Sequence, residues 1–164
     1  CQGTFFFIIL SYENPTKRKG VIHYEKVVII DGQGGRMGRA LVEEIQKLVP
    51  GQPLLALGAN TTATAAMMKA GAAMGATGEN PFSSPARDAD LIIGPIGIVI
   101  ADSLLGEITP AMQPPSDKAA PEILIPVKWK LLLPPYFSRN NKNLPMNEYI
   151  HLAAEEAAAY LNHI

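Results

Sequence analysis

The sequence is poor in cysteine, charge, histidine and long apolar runs, and each shortage removes a class of protein. One cysteine, Cys1, among 164 residues excludes a disulfide framework and a thiolate metal site. Charged residues make up 18%, with 14 Lys plus Arg against 15 Asp plus Glu. That balance disfavours a nucleic-acid binder working through a basic face. No apolar run reaches the ~18 residues that a membrane helix needs. The longest near the N-terminus, Phe5 to Leu10, has six. It has neither a preceding basic residue nor a following small-residue cleavage site, so it does not read as a secretory signal. His23, His151 and His163 lie outside every motif described below and give a histidine base or zinc site little support. Ser83, Ser84 and Ser103 lack the G-x-S-x-G elbow of a nucleophile.

What the chain does have is a hydrophobic share of 48%, enough for one globular core. Residues 1–20 end in the polar run Ser11 to Gly20 and are set aside as a disordered or non-native leader. The codons for Lys17-Arg18-Lys19-Gly20 are purine-rich, like a ribosome-binding site, which would put the start at or after Val21. Residues 21–135 read as one α/β domain, and 136–164 as a linker and C-terminal helix.

Strands and helices alternate through that domain. Lys26 to Asp31 is a continuous β-branched run suited to a strand buried on both faces. Arg36 to Val49 carries apolar Met37, Leu41, Ile45 and Leu48 at helical spacing, ended by Pro50-Gly51. Leu54 to Leu57 predicts a second strand. Asn60, Thr61 and Thr62 are cap residues for a helix over about 62–73. Residues 75–81 read as a loop, 87–90 as the close of a short helix, 91–93 as a strand and 98–105 as a helix, with extension of the strand through 98–100 as the alternative. Thr109-Pro110 is a helix-start signal. Residues 123–127 and 129–133 predict further strands. The last segment has an apolar stripe through Met146, Ile150, Ala153, Ala157, Tyr160 and Leu161. Such alternation predicts a Rossmann-like three-layer α/β/α domain with a mainly parallel sheet and an added C-terminal amphipathic helix.

The loop after the first strand carries the chemistry. Gly32, Gly35 and Gly38 fit G-x-x-G-x-x-G between strand and helix. Glycines there allow a tight turn, close approach of a phosphate, and close packing of helix on strand. The helix N-terminus then offers free amides and its positive dipole end to an anion. A tight turn that binds nothing is the alternative reading.

The segment Gly34-Gly35-Arg36-Met37-Gly38-Arg39 resembles the nicotinamide-binding loop of dihydrodipicolinate reductases, with Gln33 where they often carry Ala. That family has Gly where this chain has Asp31, and its catalytic His-His-x-x-Lys segment has no match here, so its chemistry does not carry over. A wider resemblance rests on residues 30–35, 75–80, 92–98 and 101–110. It is to a family of small bacterial proteins catalogued only as a domain of unknown function. It implies a Rossmann-like fold, and it fades from about Lys128.

The resulting expectation is a site for NAD or NADP. Gly32, Gln33, Gly34, Gly35, Arg36, Met37 and Gly38 would cradle phosphate. Asn60, Thr61 and Thr62 would meet the ribose, and Gly94, Pro95 and Gly97 would line the opposite wall. Asp102 and Glu107 are the candidate proton donors if the protein is an NAD(P)-dependent oxidoreductase. Two features oppose a standard site. No Asp or Glu stands about twenty residues past the glycines to hold ribose hydroxyls, and Asp31 sets a carboxylate beside the phosphate position unless it turns away to cap loop amides. A non-catalytic module that senses a nucleotide or phosphorylated metabolite and a ligand-free assembly subunit are the other readings, and a homo-oligomer is a further expectation. The expected setting is cytoplasmic, with a small-molecule nucleotide as partner, no nucleic acid and no membrane.

Overall fold

A computed structural model describes residues 7–11, 26–83, 89–99, 102–112, 130–131 and 145–162. The β-branched run forms strand β2, Val27–Asp31, with all five residues buried. Helix α1, Arg36–Leu48, buries Leu41, Val42 and Ile45. Arg39 pairs with Glu43 at 2.9 Å and Lys47 with Glu44 on its outer face. Strand β3, Leu54–Gly58, is again fully buried. Helix α2, Thr61–Lys69, starts at Asn60, whose side-chain oxygen accepts a hydrogen bond from the Ala63 amide at 2.8 Å. This helix is shorter than the expected 62–73, because Gly71 adopts φ +113° and turns the chain.

Strand β4, Met74–Thr77, and helix α3, Glu79–Ser83, occupy the stretch expected to be a loop. The strand was hidden because it is an edge strand: three of its four residues are exposed, so it shows no buried run and no apolar alternation. Strand β5, Leu91–Pro95, returns to full burial. The expected helix over 98–105 is instead a 3-10 turn, Ile96–Val99, and a single short turn α4, Ser103–Gly106. Asp102, Leu105 and Gly106 all take positive φ, which a continuous right-handed helix cannot contain. A further 3-10 turn, Pro110–Met112, follows. Helix α5, Met146–Asn162, closes the chain. The strand expected at 123–127 and residues 87–88 of the expected helix end lie outside the described residues, and Ala89 and Asp90 are not helical.

The sheet runs β4-β3-β2-β5, all parallel, and Val27 pairs with both Leu54 and Leu91. From β2 the chain winds outward through β3 to β4, then crosses back to β5 on the other side of β2. The order therefore reverses between β2 and β5, where doubly wound sheets open their ligand crevice. The expected α/β fold with a mainly parallel sheet is the one observed. Part of the expected leader joins the sheet instead. Strand β1, Phe7–Ser11, pairs antiparallel with β5, and the two-residue strand β6, Lys130–Leu131, pairs with β1. A short apolar run next to an unpaired strand edge supplies the missing ladder partner.

Two cores lie on opposite faces of the sheet. On the first, Val27, Ile29, Leu54, Ala56, Leu91 and Ile93 pack against α1, Met67 of α2, and Ile150, Ala153 and Ala157 of α5. Each buried Leu or Ile contributes about 1.5–3 kcal/mol. On the second, Val28, Ile30, Leu57 and Ile92 are covered by Ala89, Ile98, Ile108 and Met112. Among the described residues, no helix is long and apolar enough to cross a membrane.

Candidate functional site

Asp31 ends β2 just below the glycine loop, and its carboxylate is buried. It turns back into the loop, accepting hydrogen bonds from the amides of Gly32 at 2.8 Å and Gly38 at 2.6 Å. The Met37 amide is also directed at it. Asp31 thus caps α1 from within the fold, and a negative charge at a helix N-terminus is favourable. Burial nonetheless pushes its pKa above the ordinary carboxylate value. The amides of Gly38, Gly32 and Met37 pull it down, and nearby Glu107 adds to the rise.

The glycines divide by what surrounds them. Gly35 is the N-cap of α1 at φ +68°, and a Cβ there would lie 2.6 Å from the Ala63 Cα. A Cβ on Gly38 would press on Met67 and on the Asp31 side chain. Both are needed to seat α1 against α2 and β2. Gly34 is different: it has no positive φ, and its Cβ would find no atom within 4 Å. The fold itself does not require glycine there.

A cleft of about 570 Å³ opens at this loop, lined by Asp31 to Met37 and Ala40. Its far wall is the start of α5: Met146, Asn147 and Ile150. Sequence reasoning missed those three. It identified the C-terminal helix and its stripe through Met146 and Ile150, but only tertiary packing of α5 along α1 brings that end to the loop. The amides of Gly34 and Arg36 have no partner among the described residues, so they remain available to a ligand in the cleft.

On its other side the loop is clamped. Gln33 sits at φ 48°, a strained conformation for a residue other than glycine. Its carbonyl accepts a hydrogen bond from Asn60 Nδ2 at 2.8 Å, and its amide donates to Glu107 Oε2. Asn60 Nδ2 also reaches the same Glu107 oxygen at 3.1 Å. Glu107 is presented by a turn whose neighbour Ile108 is fully buried in the second core. Thr109 ties the same turn to α3 by donating to Glu79 at 2.6 Å.

A sequence profile decides the family once this geometry is in view: the family described as Domain of unknown function (DUF3842) matches residues 26–161. The chain belongs to that family. The match runs past Lys128, where the resemblance was expected to fade, and takes in α5 to Leu161, so the helix forming the far wall lies inside the DUF3842 domain. No curated protein and no solved structure matches the chain.

The remaining expected site residues of this DUF3842 domain are spread out. Thr61 and Thr62 are exposed at the start of α2, in a shallower groove with Arg39 and Lys69. Gly94 and Pro95 are buried at the end of β5, and the Gly94 Cα faces the Ile30 carbonyl, leaving no room for a side chain. Gly97 lies in the following 3-10 turn. Asp102 is exposed at φ 60°, bounding a turn in which its amide donates to the Ile108 carbonyl. His151 lies 3.3 Å from both Glu44 and Glu155, where it links α5 to α1.

Proposed function

We propose that this protein binds a nucleotide of the NAD(P) type, with phosphate at the glycine loop in the cleft between α1 and α5. The observation that carries this reading is Gly34. It is a glycine that neither backbone strain nor packing demands, and it faces open space in a cleft at the point where the strand order reverses. Its amide and that of Arg36 are the donors left for an anion, since Asp31 takes those of Gly32, Met37 and Gly38. With its carboxylate committed to these bonds, Asp31 is turned away from the phosphate position. The role is one of binding. Glu107 accepts two hydrogen bonds at one oxygen, from the Gln33 amide and Asn60, and so holds the loop in place.

The test is a thermal-shift panel of NAD(H), NADP(H), ATP and sugar phosphates on the wild type and on Gly34→Asp. A ligand at 100 times its Kd adds about 2.7 kcal/mol to stability. A nicotinamide dinucleotide is expected to raise Tm in the wild type and not in the variant, which keeps the fold and places a carboxylate in the cleft. If no nucleotide shifts Tm, or if Gly34→Asp responds like the wild type, the reading is wrong.

A further inference from the structure

We infer that Glu107 is the ribose-holding carboxylate of this site and that it selects a dinucleotide with a free 2′-hydroxyl over one with a 2′-phosphate. The inference rests on the nucleotide reading above. In a βαβ dinucleotide site the acid that binds the ribose diol stands just past the second strand of the unit, about twenty residues beyond the glycines. Here that strand is β3, and the chain past it reads Gly58-Ala59-Asn60-Thr61-Thr62, with no acid. The structure fills the position from elsewhere. Glu107, 47 residues away in sequence, reaches Asn60 Nδ2 at 3.1 Å and the Gln33 amide of the phosphate loop. One carboxylate oxygen, Oε2, makes both bonds. The other, Oε1, has no hydrogen-bond partner among the described residues, so it is free to accept from a hydroxyl. A carboxylate standing between the phosphate loop and the residue after β3 is where a ribose joined to that phosphate would lie.

The same placement sets the preference. A 2′-phosphate carries about −1.5 to −2 charges near neutral pH and would meet the Glu107 carboxylate at close range. Of the described cations near the loop, Arg36 lines the cleft between α1 and α5, to which Glu107 does not contribute, and the other two are engaged or lie farther off. Arg39 is bonded to Glu43 at 2.9 Å, and Lys69 is the last residue of α2, about 12 Å along the helix from Thr61. Glu107 itself is fixed by Ile108 and Met112 beneath it in the second core and by the Thr109–Glu79 bond beside it. It is therefore an ordered acceptor, not a side chain free to swing away.

The experiment is the affinity of NADH and of NADPH, by fluorescence titration, for the wild type and for Glu107→Gln. The Gln33 amide can still donate to a glutamine carbonyl, so the clamp survives the substitution, and the ligand-free Tm checks this. The wild type is expected to bind NADH at least tenfold more tightly than NADPH. Glu107→Gln is expected to weaken NADH about tenfold, as for loss of a charge-assisted hydrogen bond, and to leave NADPH unchanged or tighter. Equal affinities in the wild type, tighter binding of NADPH, or an unchanged NADH-to-NADPH ratio in Glu107→Gln would overturn the assignment of Glu107 and leave the nucleotide site standing. Tighter NADPH would move the ribose into the groove of Arg39, Thr61, Thr62 and Lys69. Binding of neither dinucleotide would overturn the nucleotide reading, and this inference with it.

Discussion

The two faces of the sheet are covered by different kinds of chain. One is roofed by α1 and α5, long helices whose buried residues recur at helical spacing. Among the described residues, the other is covered by Ala89, Ile98, Ile108 and Met112, and positive-φ corners at Asp102, Leu105 and Gly106 bound the turn that leads to Ile108. The helical face supplies the rigid cleft around the glycine loop. The irregular face supplies the carboxylate that clamps that loop. Under the proposed binding mode, stability and selectivity are drawn from opposite sides of one sheet, and substitutions on the two sides should have separable effects.

The largest expected effect is on the helical face. Ile45→Ala removes a fully buried side chain of α1 and should cost about 2–5 kcal/mol, read by urea denaturation. The NADH-to-NADPH ratio of the folded fraction should not change. Ile108→Ala, equally buried but on a turn that can relax, should cost about 2 kcal/mol and should also narrow that ratio, because it loosens the support of Glu107. If both variants altered stability and selectivity alike, the division of labour between the faces would collapse.

Next come the loop glycines. Gly35→Ala forces a Cβ to within 2.6 Å of the Ala63 Cα at φ +68° and should cost about 2–4 kcal/mol through overpacking and left-handed strain. Gly34→Ala should change stability by no more than about 0.5 kcal/mol while weakening nucleotide binding. Denaturation midpoints and titrations on the same two proteins check the contrast. A costly Gly34→Ala would mean that this glycine serves the fold and not a ligand.

The smallest effect is a slope with pH. Burial raises the pKa of Asp31 in the folded state, so the native protein holds that proton to higher pH than the unfolded chain. Its contribution to stability is full below the unfolded value, about 4, and declines as pH rises through the folded one. Glu44 slopes the opposite way, since Lys47 and then His151 lower its pKa. The difference between wild type and Asp31→Asn isolates Asp31. Unfolding free energies across pH 4 to 7 should show the wild type losing stability relative to the variant, and a flat difference would refute the burial argument.

Much of the helical face was legible in the sequence. Val27 to Asp31 announces a buried strand by its β-branched run, and Leu41 and Ile45 announce α1 by their spacing. The Asn60 cap and the capping role of Asp31 were readable from residue type and position. The irregular face was not, because nothing periodic marks a residue such as Ile108 that covers a sheet from a turn. Strand β4 was missed because an exposed edge needs no apolar pattern. The placement of Glu107 beside Asn60, and of Met146 and Asn147 beside the glycine loop, is tertiary: residues 47 and more than 100 positions apart in the chain meet only after the sheet is wound.

The central claim is that a nucleotide phosphate sits on the amides of Gly34 and Arg36. Amide chemical shifts recorded while NADH is titrated into the isotope-labelled protein test it most directly. The account predicts that Gly34, Arg36 and, across the cleft, Asn147 move together and saturably, while Lys69 and Met74 stay still. Shifts centred on Lys69, Met74 or Leu105 with the Gly34 and Arg36 amides unmoved, or no saturable shift at all, would contradict it.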